Sequence, residues 1–191
     1  YGLGGQTEII KTKRVLVAFR DSPIGFRRLL RHELAHRYQV ELLQLTLTSF
    51  AGQGMPPLWF IEGSAEAIAH DWDTEGEMVM RDAYLHNYVA SITKNDWKYL
   101  RLLYKEGEFI SHFLIEQNKD KGEVISAILR ETKELDFEKA FEKVTDKSLA
   151  EFEKELNQHI EERYSPLRVK KDITDYAKTL DSAVLLASKE N

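Results

Sequence analysis

The pattern of apolar and polar positions is helical over most of the chain and strand-like only near its start. Residues 9–10 and 15–19 are β-branched and apolar, which predicts two short strands joined around residues 11–14. The glycine-rich residues 1–5 predict little regular structure. The chain is therefore expected to begin with a small β portion.

The first long helix is predicted to begin at Ser22-Pro23 and to end near residue 45. Ser22 can cap the helix, and Pro23 suits the first helical position. Apolar residues recur at helical spacing on one face, which we expect to be buried: Leu29, Leu30, Leu34, Tyr38 and Leu42.

Prolines and glycines between residues 46 and 57 predict a loop, and the acidic residues 71–77 predict another. Ser148 and Glu151 have the spacing of a capping box at the start of the last helix. The pattern predicts helices over residues 58–69, 78–92, 98–118, 122–132, 137–144 and 148–164.

These elements predict a single α+β domain, mainly α, in which a small N-terminal β portion precedes a helical bundle. It is expected to span residues 1–164, because 42% hydrophobic residues in a chain of this length can bury a sizeable core. Residues 165–191 are predicted to be a linker or tail with one short helix from about residue 175. The chain begins at Tyr1 rather than Met, so we expect it to be part of a longer protein.

Charge and composition narrow the function classes. The net charge is −5, from 27 basic and 32 acidic side chains with no basic block, so nucleic acid is not an expected partner. The chain has no cysteine, which excludes disulfides and thiolate metal ligands. No apolar run approaches the roughly 18 residues of a membrane span, so no span is expected.

The stretch His32-Glu33-Leu34-Ala35-His36 carries the clearest chemistry. Histidines four residues apart on a helix share one face, so both imidazoles can reach a single zinc ion. Glu33 borders that position without occupying it and can take a proton from a zinc-bound water. The alternative is an amphipathic helix that carries two histidines by chance.

Glu62 and Glu66 lie in the most apolar part of the predicted second helix. They are also four residues apart and therefore share a face. Burial of carboxylates is costly unless a cation or hydrogen-bond donors compensate, and the two histidines need a third ligand. The alternative is that both glutamates face solvent.

With these residues the chain resembles the gluzincin metallopeptidases, in which HExxH and a glutamate on a following helix bind zinc. Residues 58–66, Leu-Trp-Phe-Ile-Glu-Gly-Ser-Ala-Glu, are similar to the Trp-x-x-Glu-Gly-x-Ala-Glu pattern of bacterial peptidase-MA-like domains. The spacer of 25 residues between His36 and Glu62 is in keeping with that group. A metzincin would instead need glycine and histidine where this chain has Gln39 and Leu42.

The resemblance implies a zincin-like catalytic domain with one Zn²⁺ per chain. It makes His32, His36 and Glu62 the metal ligands and Glu33 the general base. It also implies that Glu66 accepts a hydrogen bond from a ligand histidine, which we expect to be His32, and so improves that imidazole as a ligand.

A less specific resemblance involves residues Tyr104-Lys105-Glu106-Gly107, which are similar to the Tyr-x-x-Gly motif of gluzincin aminopeptidases and their relatives. There the tyrosine hydroxyl stabilises the oxyanion of the tetrahedral intermediate. The alternative is a core tyrosine, because apolar residues surround Tyr104 at helical spacing. Tyr84, His86 and Tyr88 are competing candidates for the donor.

Two departures limit the resemblance. The aminopeptidase signature Gly-x-Met-Glu-Asn is absent, and residues 2–6 lie where it would be expected, so Gly4 and Gly5 are candidate substrate contacts. The large upstream part of a classical gluzincin is also missing. Residues 163–180 resemble the stretch that joins such domains to a TolB-like β-propeller in exported bacterial proteins, which predicts a periplasmic or extracellular location and a C-terminal propeller.

We therefore expect a zinc metallopeptidase that hydrolyses peptide bonds in a peptide or protein substrate. The alternative is a weakly active or inactive peptidase-like module that serves as a protein-interaction domain. The absence of the upstream part of a classical gluzincin favours the alternative, whereas the intact ligand and base residues argue against it. A plain helical scaffold would leave the two glutamates unexplained.

Overall fold

The computed structural model describes residues 5–7, 14–19, 22–43, 55–119 and 123–168. Strand β1 (Gly5–Thr7) pairs antiparallel with strand β2 (Val15–Val17), with Gly5 opposite Val17. The predicted second strand is confirmed in part, whereas the one predicted at residues 9–10 lies outside the described residues. Strand β1 begins at Gly5, in the stretch predicted to be irregular.

Most of the rest of the described chain is helical, which confirms an α+β class that is mainly α with a small N-terminal sheet. The helices are α1 (Pro23–Leu43), α2 (Leu58–Ala69), α3 (Thr74–Leu85), α4 (Leu100–Gln117), α5 (Val124–Glu131), α6 (Phe137–Thr145) and α7 (Leu149–Arg168). Among these described helices, none is long and apolar enough to cross a membrane.

Two predicted helix starts are confirmed by their hydrogen bonds. Ser22 Oγ accepts from the backbone N–H of Gly25 at 3.1 Å. At the start of α7, Ser148 and Glu151 each hydrogen-bond the other's backbone N–H, as a capping box requires. Helix α7 continues to Arg168, past its predicted end at residue 164, and the short helix predicted from residue 175 lies outside the described residues.

The bounds predicted for α3 are wrong at both ends. The helix begins at Thr74, inside the acidic segment predicted to be a loop, because Asp73 caps it by accepting from Gly76 N–H at 2.8 Å. Acidic side chains in the first turn are favourable next to the positive end of the helix dipole. The helix ends at Leu85, and Asn87 then takes a left-handed conformation with φ 58°.

The buried face predicted for α1 is also partly wrong. Leu34 is 49% exposed and Tyr38 is 45% exposed. The face that packs inward instead carries His32, Glu33 and Gln39, all of them buried. These side chains contact polar groups on other elements, which makes their burial favourable. The spacing of the leucines therefore predicts the wrong inner face for this helix.

Helix α2 packs directly on α4, backbone against backbone. A Cβ added to Gly63 would overlap the backbone carbonyl of Gly107, and one added to Gly107 would lie 2.5 Å from the carbonyl oxygen of Trp59. Around this contact the core holds large, fully buried side chains, chiefly Trp59, Phe60, Met80, Phe141, Phe152 and Tyr164. The close approach brings the polar residues of α2 and α4 together on either side of the two glycines.

Candidate metal centre

His32 and His36 lie one turn apart on α1 and direct their rings toward a common point. Their Nε2 atoms are 2.9 Å apart, and the rings meet edge to face with centroids 4.5 Å apart. The helical spacing predicts this convergence, because side chains four residues apart lie above one another on the helix surface.

Helix α2 adds a third donor atom. Glu62 Oε2 lies 3.4 Å from His32 Nε2 and 3.2 Å from His36 Nε2, and all three atoms can face one ion. Ligands of a tetrahedral zinc, at bond lengths of about 2.0–2.1 Å, lie about 3.3 Å from one another. The observed triangle therefore has the size of one face of a zinc coordination tetrahedron.

The charge of Glu62 also fits a bound cation. Its Oε2 atom is buried and lies next to the two imidazole nitrogens. Burial alone would raise the pKa of Glu62, but the adjacent imidazoles of His32 and His36 outweigh it and lower the pKa to about 2. A buried carboxylate grouped with two imidazole nitrogens is a donor set that suits zinc.

Gln39 holds the outer side of His36. The Nδ1 atom of His36 lies 2.8 Å from Gln39 Oε1, and Gln39 Nε2 donates to Ile61 O and Ser64 Oγ at 2.9 Å each. Gln39 is only 2% exposed. Because its amide N–H groups serve α2, its Oε1 is the acceptor for His36 Nδ1–H, which leaves His36 Nε2 free for a metal. Sequence reasoning missed this role, although spacing of three from His36 places Gln39 on the same face.

Glu66 lies beside the outer nitrogen of His32, but the hydrogen bond predicted between them is not formed, since His32 Nδ1 has no hydrogen-bond partner among the described residues. Its Oε1 is 3.4 Å from His32 Nδ1. Its Oε2 accepts from Arg28 at 3.1 Å and lies 3.0 Å from His70 Nε2. Burial would raise the pKa of Glu66, but contacts with His70, His32 and Arg28 lower it to about 2. The solvent-facing alternative for both glutamates does not match this placement.

Glu33 is buried against strand β1. The hydroxyl of Thr7 donates to Glu33 Oε2 at 2.7 Å and lies 2.9 Å from the Glu33 backbone oxygen. A Cβ on Gly5 would lie 2.6 Å from Glu33 Oε1, so this position accommodates only glycine while Glu33 keeps its place. Of the two predicted substrate-contacting glycines, Gly5 lines the same cavity as Glu33, and Gly4 lies outside the described residues.

Tyr104 of α4 lies next to the cluster of His32, His36 and Glu62. Its ring stacks over His32 with centroids 6.3 Å apart and an interplanar angle of 26°. Burial, followed by the negative charge of Glu62, raises the pKa of Tyr104 well above its usual range, so the hydroxyl keeps its proton. The competing residues lie elsewhere: Tyr84 donates to Glu161 at 2.7 Å, and the stacked His86 and Tyr88 do not line the cavity.

A cavity of about 430 Å³ connects these side chains. Its lining includes the polar residues His32, Glu33, His36, Glu62 and Tyr104 together with strand β1. The apolar part of the lining includes Val40, Leu43, Met55, Leu58 and Ile61. An apolar cleft with a few convergent polar groups is the usual form of a small-molecule or peptide site.

The chain is similar to the uncharacterized protein YhcO of Bacillus subtilis (strain 168), with 30% identity over 152 residues. The alignment covers 74% of this chain and 44% of that protein, so the chain spans less than half the length of this relative. No protein-family model matches the chain, and no solved structure matches it. The name of the relative states no activity, so the function has to be inferred from the site.

Proposed function

We propose that this chain is the catalytic domain of a zinc metallopeptidase of the gluzincin type, with a zincin-like fold. The observation that carries the proposal is the triangle of His32 Nε2, His36 Nε2 and Glu62 Oε2, which has the dimensions of a zinc site and opens into the cavity. Glu33 and Tyr104 line the same cavity, in positions that suit a base and a hydrogen-bond donor.

The first step of the proposed reaction depends on Glu33. A zinc ion held by His32, His36 and Glu62 would supply Lewis acidity and lower the pKa of a bound water to about 7. Thr7 occupies Glu33 Oε2, which leaves Oε1 to take the proton from the attacking water and then to pass it to the leaving amine.

The second contribution comes from Tyr104. Because its pKa is raised, its hydroxyl is protonated at neutral pH and can donate to an oxyanion. Such a donor contributes little to a ground-state carbonyl and several kcal/mol to a developing oxyanion in a site that excludes water. Tyr104 thus favours the transition state over the bound substrate.

The proposed substrate is a peptide or protein. The apolar part of the cavity lining can accommodate an apolar peptide side chain next to the cleaved bond. Export and a C-terminal propeller stay predictions, because no contact or element of the described residues bears on either.

The experiment uses a fluorescently labelled, unfolded protein as substrate. We expect cleavage by the zinc-loaded chain, loss of cleavage after treatment with a zinc chelator, and recovery when Zn²⁺ is restored. Cleavage that persists without metal would contradict the proposal. Zinc binding without cleavage of this substrate would also contradict it and would favour the peptidase-like interaction module.

A further inference from the structure

A second cluster of histidine and carboxylate groups lies on the far side of Glu66 from the first. It consists of Glu66 on α2, His70 directly after the end of α2, and Glu108 on α4. We propose that this cluster binds a second divalent transition-metal ion, through Glu66 Oε2, His70 Nε2 and Glu108 Oε1. The site does not depend on the proposed peptidase activity and could be present in an inactive module as well.

The three donor atoms have a suitable spacing. His70 Nε2 lies 3.0 Å from Glu66 Oε2 and 3.3 Å from Glu108 Oε1, and all three atoms lie within 4.8 Å of one another. Neighbouring ligands of a first-row divalent ion, at bond lengths of about 2.0–2.2 Å, are about 3 Å apart or slightly more. The two distances from His70 Nε2 therefore match adjacent positions around one ion.

The ring of His70 is oriented as metal ligands usually are. Its Nδ1 lies 2.6 Å from the backbone oxygen of Asp71, an acceptor, so Nδ1 carries a proton. In the neutral imidazole the lone pair is then on Nε2, which faces the two carboxylates. Histidine ligands commonly donate their other ring N–H to a backbone carbonyl in this way.

Glu108 gives an independent indication of a missing partner. Its side chain is completely buried, and Lys105 donates to Oε2 at 2.9 Å. No described residue donates a hydrogen bond to Oε1, although this atom points to His70 Nε2. His112 Nε2, 4.0 Å from the same oxygen, is likewise buried without a hydrogen-bond partner in the described part of the chain.

A single N–H on His70 Nε2 can point at Glu66 or at Glu108. When it points at Glu66, whose Oε2 already accepts from Arg28 at 3.1 Å, the completely buried Glu108 Oε1 lacks a donor, which is costly. A metal ion between the three atoms would contact both carboxylates and the imidazole together.

The local charges leave room for a cation. Arg28 contacts Glu66 at 3.1 Å and Asp73 at 2.9 Å, and Lys105 contacts Glu108 at 2.9 Å. Two fixed positive charges therefore face three carboxylates, and one negative charge remains to be balanced. A donor set of one imidazole and two carboxylates suits first-row divalent ions such as Mn²⁺ or Zn²⁺.

The site would connect two helices that also build the first cluster. Glu66 would bind the second ion through Oε2 while its Oε1 faces His32 Nδ1. The second ion would therefore fix Glu66 in its position 3.4 Å from His32 Nδ1, and it would join the end of α2 to the middle of α4.

The experiment removes the first site and counts the remaining metal. A double variant, His32→Ala with His36→Ala, is dialysed against Zn²⁺ or Mn²⁺ alone, and bound metal is measured per chain. We expect about one equivalent in the double variant with at least one of the two ions, and none when Glu108→Gln is added. Absence of both ions from the double variant would overturn the proposal and leave His70 with a proton. Metal that persists after Glu108→Gln would overturn it as well.

A spectroscopic measurement keeps the test valid if the Glu108→Gln variant does not fold. In the double variant loaded with one metal ion per chain, pulsed electron paramagnetic resonance of Mn²⁺, or X-ray absorption of Zn²⁺, should detect a coordinated imidazole nitrogen. A bound ion without nitrogen coordination would place the metal away from His70 and contradict the proposal.

Discussion

Two histidine–carboxylate clusters occupy successive turns of α2, and their surroundings differ. The cluster around Glu62 opens into the cavity, next to Glu33 and Tyr104. The cluster around Glu66 lies beside Arg28 and the completely buried Glu108, and it does not line that cavity. Similar ligand types therefore lie in different surroundings: the first cluster is next to a cavity that can admit a substrate, whereas the second contacts the charged side chains of Arg28 and Lys105.

Both clusters depend on the same contact between helices. Gly63 lies one residue after Glu62 and three before Glu66, and it touches Gly107 of α4. Tyr104 lies three residues before Gly107 and faces the first cluster, and Glu108 follows Gly107 and faces the second. The two glycines of the sequence patterns therefore set the distance between the helices that supply both sites.

The largest effect on activity is expected from Glu33→Gln. The proposed reaction at the first cluster needs a general base, and no such role is proposed at the second. The amide keeps the shape of the side chain but cannot take a proton. Cleavage of the unfolded protein substrate should fall by roughly 10²–10⁴-fold with zinc content unchanged. Glu116→Gln is the matched control, since this exposed carboxylate on α4 pairs with Lys119 at 3.3 Å, does not line the cavity and should leave turnover unaltered. Equal turnover in the Glu33 variant would exclude Glu33 from the mechanism.

Tyr104→Phe removes only the hydroxyl that faces the first cluster. We expect kcat to decrease by roughly 10²–10³-fold, with KM and zinc content nearly constant, because the donor acts on the transition state. Tyr88→Phe is the control, as Tyr88 stacks on His86 outside the cavity. A decrease in both variants, or in neither, would contradict the role of Tyr104.

Gly63→Ala should disturb both clusters together. The added Cβ overlaps the Gly107 backbone, so α2 and α4 must separate, and we expect a loss of about 3 kcal/mol in the free energy of unfolding. Urea denaturation measures this loss. Gly25→Ala in α1 is the control, because its Cβ would meet only Ser22 Oγ at 3.4 Å and alanine favours the helix. Similar stability of the Gly63 variant and the wild type would refute the close helix contact.

The smallest expected effects are changes in metal affinity, which distinguish the first cluster from the second. Gln39 hydrogen-bonds His36 of the first cluster and no residue of the second, so Gln39→Ala should weaken zinc binding at the first site by roughly 10–100-fold and leave the second site unchanged. Glu66→Ala should weaken both, because Glu66 faces His32 and His70. A competition titration with a chromophoric chelator measures each affinity. Unchanged zinc affinity in the Gln39 variant would remove its positioning role.

The parts of the site that local geometry determines could be predicted from the sequence. The convergence of His32 and His36 follows from a spacing of four on a helix, and the caps at Ser22 and Ser148 follow from side chains next to their own backbone. The positions of Glu62 and Glu66 needed the family resemblance in addition, because they depend on how α2 packs against α1.

Features that depend on distant partners could not be predicted. Gln39 is buried because α2 supplies acceptors at Ile61 and Ser64, and no pattern within α1 indicates this. For the same reason the exposure of Leu34 and Tyr38 was missed. The second cluster joins His70 to Glu108 across two helices and corresponds to no short motif, so only the folded chain brings it together.

The most direct measurement of the central claim is the zinc content of His36→Ala beside that of His86→Ala. His36 belongs to the triangle with His32 and Glu62, whereas His86 is exposed on the surface near the end of α3. After reconstitution with Zn²⁺ and removal of loosely bound metal, we expect the His36 variant to hold one equivalent fewer than the wild type, and the His86 variant to hold as much as the wild type. Equal zinc content in the His36 variant and the wild type would contradict the account.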